Sequence, residues 1–71
     1  MDTERLEYKG YTIFPMPAMG AGERYYGGYE IVRNGATIRA RKNLFPGFFY
    51  FEAARNDSIE HAKLEIDNLA S

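Results

Sequence analysis

The chain contains no cysteine, so neither a disulfide nor a thiolate metal site can staple it. It has one histidine, His61, and a single imidazole with no second histidine or thiol makes no metal-ligand set. Apolar runs long enough to cross a bilayer are missing, so no membrane partner is expected. The opening Met1-Asp-Thr-Glu-Arg5 is polar and lacks the apolar stretch that directs export, and a cytoplasmic protein is the expectation. Nor is there a surplus of one charge. A net charge of −1 excludes nucleic-acid binding driven by overall basicity.

Catalytic signatures are equally scarce. A nucleophile needs a base beside it, and Ser58 suits a helix start while Ser71 is terminal. The carboxylates fall mostly on exposed helix faces, with no pocket to raise one pKa. Gly20-Ala-Gly22-Glu-Arg-Tyr25 begins like a dinucleotide loop, but its third glycine is absent and it precedes a strand instead of opening a helix. No catalytic, cofactor-binding or metal-ligating residue is assigned, and a non-enzymatic protein without a cofactor is expected.

What the chain does have is aromatic mass, five Phe and six Tyr in 71 residues. That length makes a single small domain, 1–71, which buries roughly 60% of its unfolded surface. Its core supplies about 3–5 kcal/mol of stability.

The strongest local signal is Asn34-Gly35 between two alternating runs, a two-residue type I′ hairpin. A regular ladder then sets Arg33 opposite Ala36, Val32 opposite Thr37, Ile31 opposite Ile38, Glu30 opposite Arg39 and Tyr29 opposite Ala40. Tyr29, Ile31, Ile38 and Ala40 form a core face on this reading. Glu30, Val32, Thr37, Arg39 and Arg41 form an outer one.

Leu6-Glu-Tyr8 leads into a bend at Lys9-Gly10, and Tyr11-Thr-Ile-Phe14 then reads as the first strand. Pro15 and Pro17 end it, and residues 15–24 read as a mobile loop. Strands are expected over Tyr25–Arg33 and from Ala36 to about Lys42. Pro46-Gly47 suits a type II turn, and Phe48–Ala54 reads as a fourth strand with Phe49, Phe51 and Ala53 inward. A terminal helix follows, capped by Asp57 with Glu60 three residues on. Its apolar stripe is Ile59, Ala62, Ile66, Leu69 and Ala70, with Leu64 turned away. The fold class is α+β: three to four antiparallel strands with one C-terminal helix packed on one face, β-β-β-(β)-α.

Two surfaces carry functional expectations. The outer sheet face would gather Arg39, Arg41, Phe48 and Tyr50, with Arg33 and Lys42 on its rim. Cations neutralise phosphate and rings stack on bases, so this is a candidate nucleic-acid surface. The same arginines could instead lie over neighbouring rings, or pair with acids such as Glu30. The second expectation is association with a protein partner or with a second copy. It would use Phe48–Ala54 as a pairing edge, or an adaptable patch of Met16, Ala18, Met19, Leu44 and Phe45. Charge is also divided along the chain. Residues 31–47 hold Arg33, Arg39, Arg41 and Lys42 without an acid, while residues 52–71 hold Glu52, Asp57, Glu60, Glu65 and Asp67 against Arg55 and Lys63. Each block is expected to solvate its own outer face.

Tyr8-Lys-Gly-Tyr11, Tyr25-Tyr-Gly-Gly-Tyr29, Asn34-Gly35 and Ile66-Asp67 together resemble a pattern in small proteobacterial proteins of no assigned activity. The resemblance covers most of the chain and implies a sheet-plus-helix fold. A looser topological similarity links Glu30–Arg41 to the three-stranded domains at the N-termini of phage-type integrases, which lay their sheet in the DNA major groove.

Overall fold

The computed structural model describes residues 4–70. Residues 1–3 and Ser71 lie outside it, as do the side chains of residues 43–46 and Ala70, so the expectations for Leu44, Phe45 and Ala70 fall outside the described residues. Five strands and one helix follow in the order β1 (Leu6–Tyr8), β2 (Tyr11–Pro15), β3 (Ala18–Met19), β4 (Tyr25–Arg33), β5 (Ala36–Phe48) and α1 (Phe51–Ala70). A 3₁₀ turn, Ala21–Glu23, separates β3 from β4.

The sheet is antiparallel throughout and centred on β4, an α+β arrangement. β5 runs along one side of β4, while β2 and then β3 pair in succession on the other, with β1 beyond β2. The loop expected at 15–24 therefore contains β3, whose Ala18 and Met19 face Tyr26 and Tyr25. Both two-residue turns have left-handed backbone at each central position: Lys9 and Gly10 at φ 50° and 84°, Asn34 and Gly35 at 53° and 78°. This is the type I′ geometry that matches strand twist.

α1 lies across one face. Tyr11, Ile13, Tyr29 and Ile31 from the sheet close on Ala62 and Ile66 from the helix, and Tyr8, Ile38 and Leu69 pack at the margin. Ile59 is buried as the stripe requires, and Leu64 is exposed. The opposite face carries Thr12, Phe14, Glu30 and Val32 by strand alternation. There Thr12 donates to Glu7 and Thr37 to Glu30.

Three sequence expectations change. First, the hairpin keeps its register only for Arg33–Ala36 and Val32–Thr37. The ladder then slips by one, pairing Ile31 with Arg39, Glu30 with Ala40 and Tyr29 with Arg41. Ile38 is the extra residue of a β-bulge. It lets Ile38 and Arg39 lie in succession on the helix side, one against the core and the other against a helix carboxylate.

Second, there is no strand over Phe48–Ala54. β5 continues through Pro46-Gly47 to Phe48, and Gly47 has no positive φ, so the type II turn is not formed. β5 is an edge strand, which tolerates a proline. Gly20 and Gly47 both pack against the Tyr26 ring: a Cβ on Gly20 would come within 2.5 Å of it and one on Gly47 within 3.1 Å.

Third, α1 begins at Phe51, six residues before the expected cap, and Asp57 and Ser58 lie inside it. Ser58 is fully buried. Its hydroxyl donates to the Ala54 carbonyl at 2.7 Å and accepts from the Gly28 N–H at 2.9 Å. That N–H sits at another ladder irregularity, between Gly27 and Tyr29, so the helix supplies the partner that the ladder does not. The early start also leaves Phe49 and Phe51 exposed where burial was expected.

Candidate functional site

The bulge decides where the arginines go. Arg39 and Arg41 share the helix-side face with Ile31 and Tyr29, their partners in the ladder. They meet Glu65 of α1, not the outer face. Arg39 donates from Nε to Glu65 Oε2 at 2.9 Å, and Arg41 donates from Nε and Nη2 to the two carboxylate oxygens at 3.4 Å. The Tyr29 hydroxyl donates to Oε1 at 2.5 Å. Glu65 thus accepts from three side chains on two neighbouring strands.

Protonation follows from this arrangement. Burial pushes the Tyr29 phenol up, the Glu65 carboxylate adds to it, and the result is about 12. Burial by itself would raise Glu65. The bonds from Tyr29 and Arg41 outweigh it and hold the carboxyl below its ordinary value. Arg41 is pushed up by its bond to Glu65. The cluster is a charged, proton-tight crosslink between sheet and helix at pH 7.

An open groove of about 430 Å³ lies over the cluster, with His61, Asn68 and Leu69 completing its walls. His61 does not point into empty solvent. Its Nδ1 is 3.0 Å from the Asp57 carbonyl and 3.2 Å from Asp57 Oδ2, one turn earlier. No group of three or more potential metal ligands occurs among the described residues.

The remaining residues of the expected binding face are dispersed. Arg33 stacks over Tyr11 at 5.0 Å from the ring centre and donates to its hydroxyl, so it too lies on the helix side. Lys42 borders a second cavity, of about 380 Å³, with Met16, Pro17, Ala18 and Ala40. Phe48 is half-buried opposite Tyr25, and Tyr50 is exposed in the link to α1. The structure brings Arg39 and Arg41 together and leaves Phe48 and Tyr50 apart from them, at the Tyr25 end of β4.

That end also carries several exposed apolar side chains. Phe49, Tyr50 and Phe51 are 68%, 76% and 50% exposed, and Met19 is 61% exposed. Tyr25 ties them together: it pairs with Met19 and Phe48 and meets the Phe51 ring edge-on, with centroids 5.8 Å apart. Arg24 lies over the Phe49 ring at 4.5 Å.

Sequence reasoning missed Glu65 and Tyr29. The only signal for them was the division of charge, which now has a different meaning. Part of the two blocks pairs across the layers, Arg39 and Arg41 with Glu65, while Glu52 and Glu60 are exposed as expected. No helix among the described residues is long and apolar enough to cross a membrane. Fold and site define a two-layer α+β domain, one five-stranded antiparallel sheet under one helix. Comparison with protein-family models, with curated proteins and with solved structures gives no match.

Proposed function

We propose that this chain is a non-enzymatic association module, and that its partner is a second copy joined through the aromatic end. The observation that carries this reading is the run Phe49-Tyr50-Phe51, each residue half-exposed or more, beside an exposed Met19. Aromatic and methionine side chains are enriched at the cores of protein interfaces, and contiguous exposed patches of them are uncommon on monomers. Arg24 packs over the Phe49 ring, 4.5 Å from its centre. A two-fold axis through the patch would pair like with like, the arrangement of most homodimers.

Sedimentation over a wide concentration range tests this directly, and a rising mass is expected. Tyr50→Lys, which is exposed and costs the fold little, should weaken self-association by at least about 2 kcal/mol, the loss expected at a central aromatic. A chain that stays monomeric at the highest concentration sinks the reading. Nucleic-acid binding through Arg39, Arg41 and Tyr50 has less behind it, since the two arginines stand over Glu65 on the helix side of the sheet and Tyr50 sits elsewhere, in the link to α1, so the rings and cations do not share one face. It would require affinity for DNA or RNA at low salt that falls steeply as salt rises.

A further inference from the structure

We propose that the groove between β5 and α1 is a binding site for an oxyanion, a carboxylate or phosphate group on a small molecule, gripped by Arg39 and Arg41. The inference is independent of the association reading and concerns a different face of the molecule.

Charge balance is the first argument. A crosslink between sheet and helix needs one cation for one carboxylate, but here two guanidiniums share Glu65 and one positive charge is left over. Depth is the second. The Glu65 side chain is 15% exposed, whereas Arg39 and Arg41 are 49% and 54% exposed, so the acid forms the floor and the cations the mouth. A ligand arriving from solvent meets positive charge first.

Donor count is the third argument. Each guanidinium presents five N–H donors in a rigid fork. Arg39 spends one on Glu65 and one on the Ile38 carbonyl, and Arg41 spends two on Glu65 at the long distance of 3.4 Å. Donors on both therefore remain for a second acceptor. As alternate residues of one strand they stand about 7 Å apart, a span that one phosphate or carboxylate can bridge.

Preorganisation is the fourth. Tyr29, itself buried and bonded at 2.5 Å, fixes the carboxylate that fixes the two forks. Little side-chain freedom is then lost when an anion binds. Glu65 is the one acid among the described residues that line the groove; Asp57 faces His61, and Asp67 faces Lys9 and Tyr8. The groove volume, about 430 Å³, falls within the range of small-molecule sites, and Leu69 and the Tyr29 ring offer its apolar wall.

The test is a titration of the full chain followed by backbone amide and arginine Nε–H shifts. Inorganic phosphate, acetate and chloride are added at matched ionic strength. Saturating shifts at Arg39, Arg41 and Glu65 are expected with phosphate, with acetate, or with both, and not with chloride. Phosphate alone would assign a phosphoryl ligand; both would assign a general oxyanion site. Arg41→Gln should weaken binding about tenfold or more, and Lys42→Gln should leave it unchanged. Arg41→Lys keeps the charge and loses the fork, so intermediate weakening is expected. If Arg41→Gln fails to fold, the unaltered chain and Arg41→Lys still decide. Linear shifts of equal size in all three salts, or shifts spread evenly over Arg24, Lys42 and Lys63, overturn the proposal.

Discussion

Ser58 illustrates how one buried polar group can hold two layers in register. In a helix interior a serine hydroxyl ordinarily bonds back to the carbonyl four residues earlier, a neutral or mildly unfavourable arrangement. Here that bond to Ala54 leaves the oxygen free to accept, and it takes the Gly28 N–H. Ser58→Ala would gain a little helix propensity, but it would leave a buried backbone donor without a partner. The expected net loss is about 1–3 kcal/mol. Urea unfolding measures it as a lower midpoint with an unchanged slope. An unchanged midpoint would mean that water or a ladder carbonyl can replace the hydroxyl.

Among the elements, the 34–35 hairpin turn is the most sharply specified. Gly35 sits at φ 78°, where a Cβ meets no neighbouring atom but the backbone conformation itself disfavours L side chains. Gly35→Ala should therefore cost about 1 kcal/mol through strain alone, read as a lower thermal midpoint with the fold retained. No change would show that the turn can adopt another type.

The same hairpin marks where sequence reading succeeds and where it stops. β4 was legible at both ends, because turn chemistry and two-fold alternation are local properties. The bulge at Ile38 was not. It exists because the core takes Ile38 while Glu65 takes Arg39, 26 residues away in the chain. A one-residue slip moves every following side chain to the other face, so one unseen bulge displaced the expected binding face.

The helix start was hidden for a related reason. Asp57 and Glu60 have the spacing of a cap, and Phe48–Phe51 has the composition of a strand. Ser58 is instead claimed by Gly28, and the helix extends back to Phe51, with Ala54 donating to the Tyr50 carbonyl. The stripe from Ile59 to Leu69 was legible, since helical periodicity does not depend on where the first turn lies.

At the scale of the whole molecule, the near-zero net charge conceals an ordered division. Acidic groups of the helix meet donors from the sheet layer: Glu65 faces Arg39 and Arg41 of β5, while Asp67 faces Lys9 of the β1–β2 turn and the Tyr8 hydroxyl at 2.7 and 2.9 Å. Near the start of α1 the polarity reverses, with Arg55 on the helix and Glu4 on the chain before β1. These contacts make layer docking sensitive to pH. The bond to Lys9 and then that to Tyr8 hold the Asp67 carboxyl low, and Glu65 is held low by Tyr29 and Arg41 against its own burial.

A carboxyl with a depressed folded value contributes stability above its unfolded value, near 4 for Asp and Glu, and loses it as pH falls through the folded value. The thermal midpoint should therefore stay nearly level from about pH 7 to 5 and drop below about pH 4. Glu65→Gln combined with Asp67→Asn should start lower and show a shallower acid slope. Salt separates the two sites: at physiological ionic strength and above, screening acts over about 8 Å or less and weakens the exposed Lys9–Asp67 pair first. Glu65, at the floor of its groove, keeps more of its effect. If the double variant retained the full acid slope, other groups would control the docking of sheet and helix, and the division of charge along the chain would be incidental to stability.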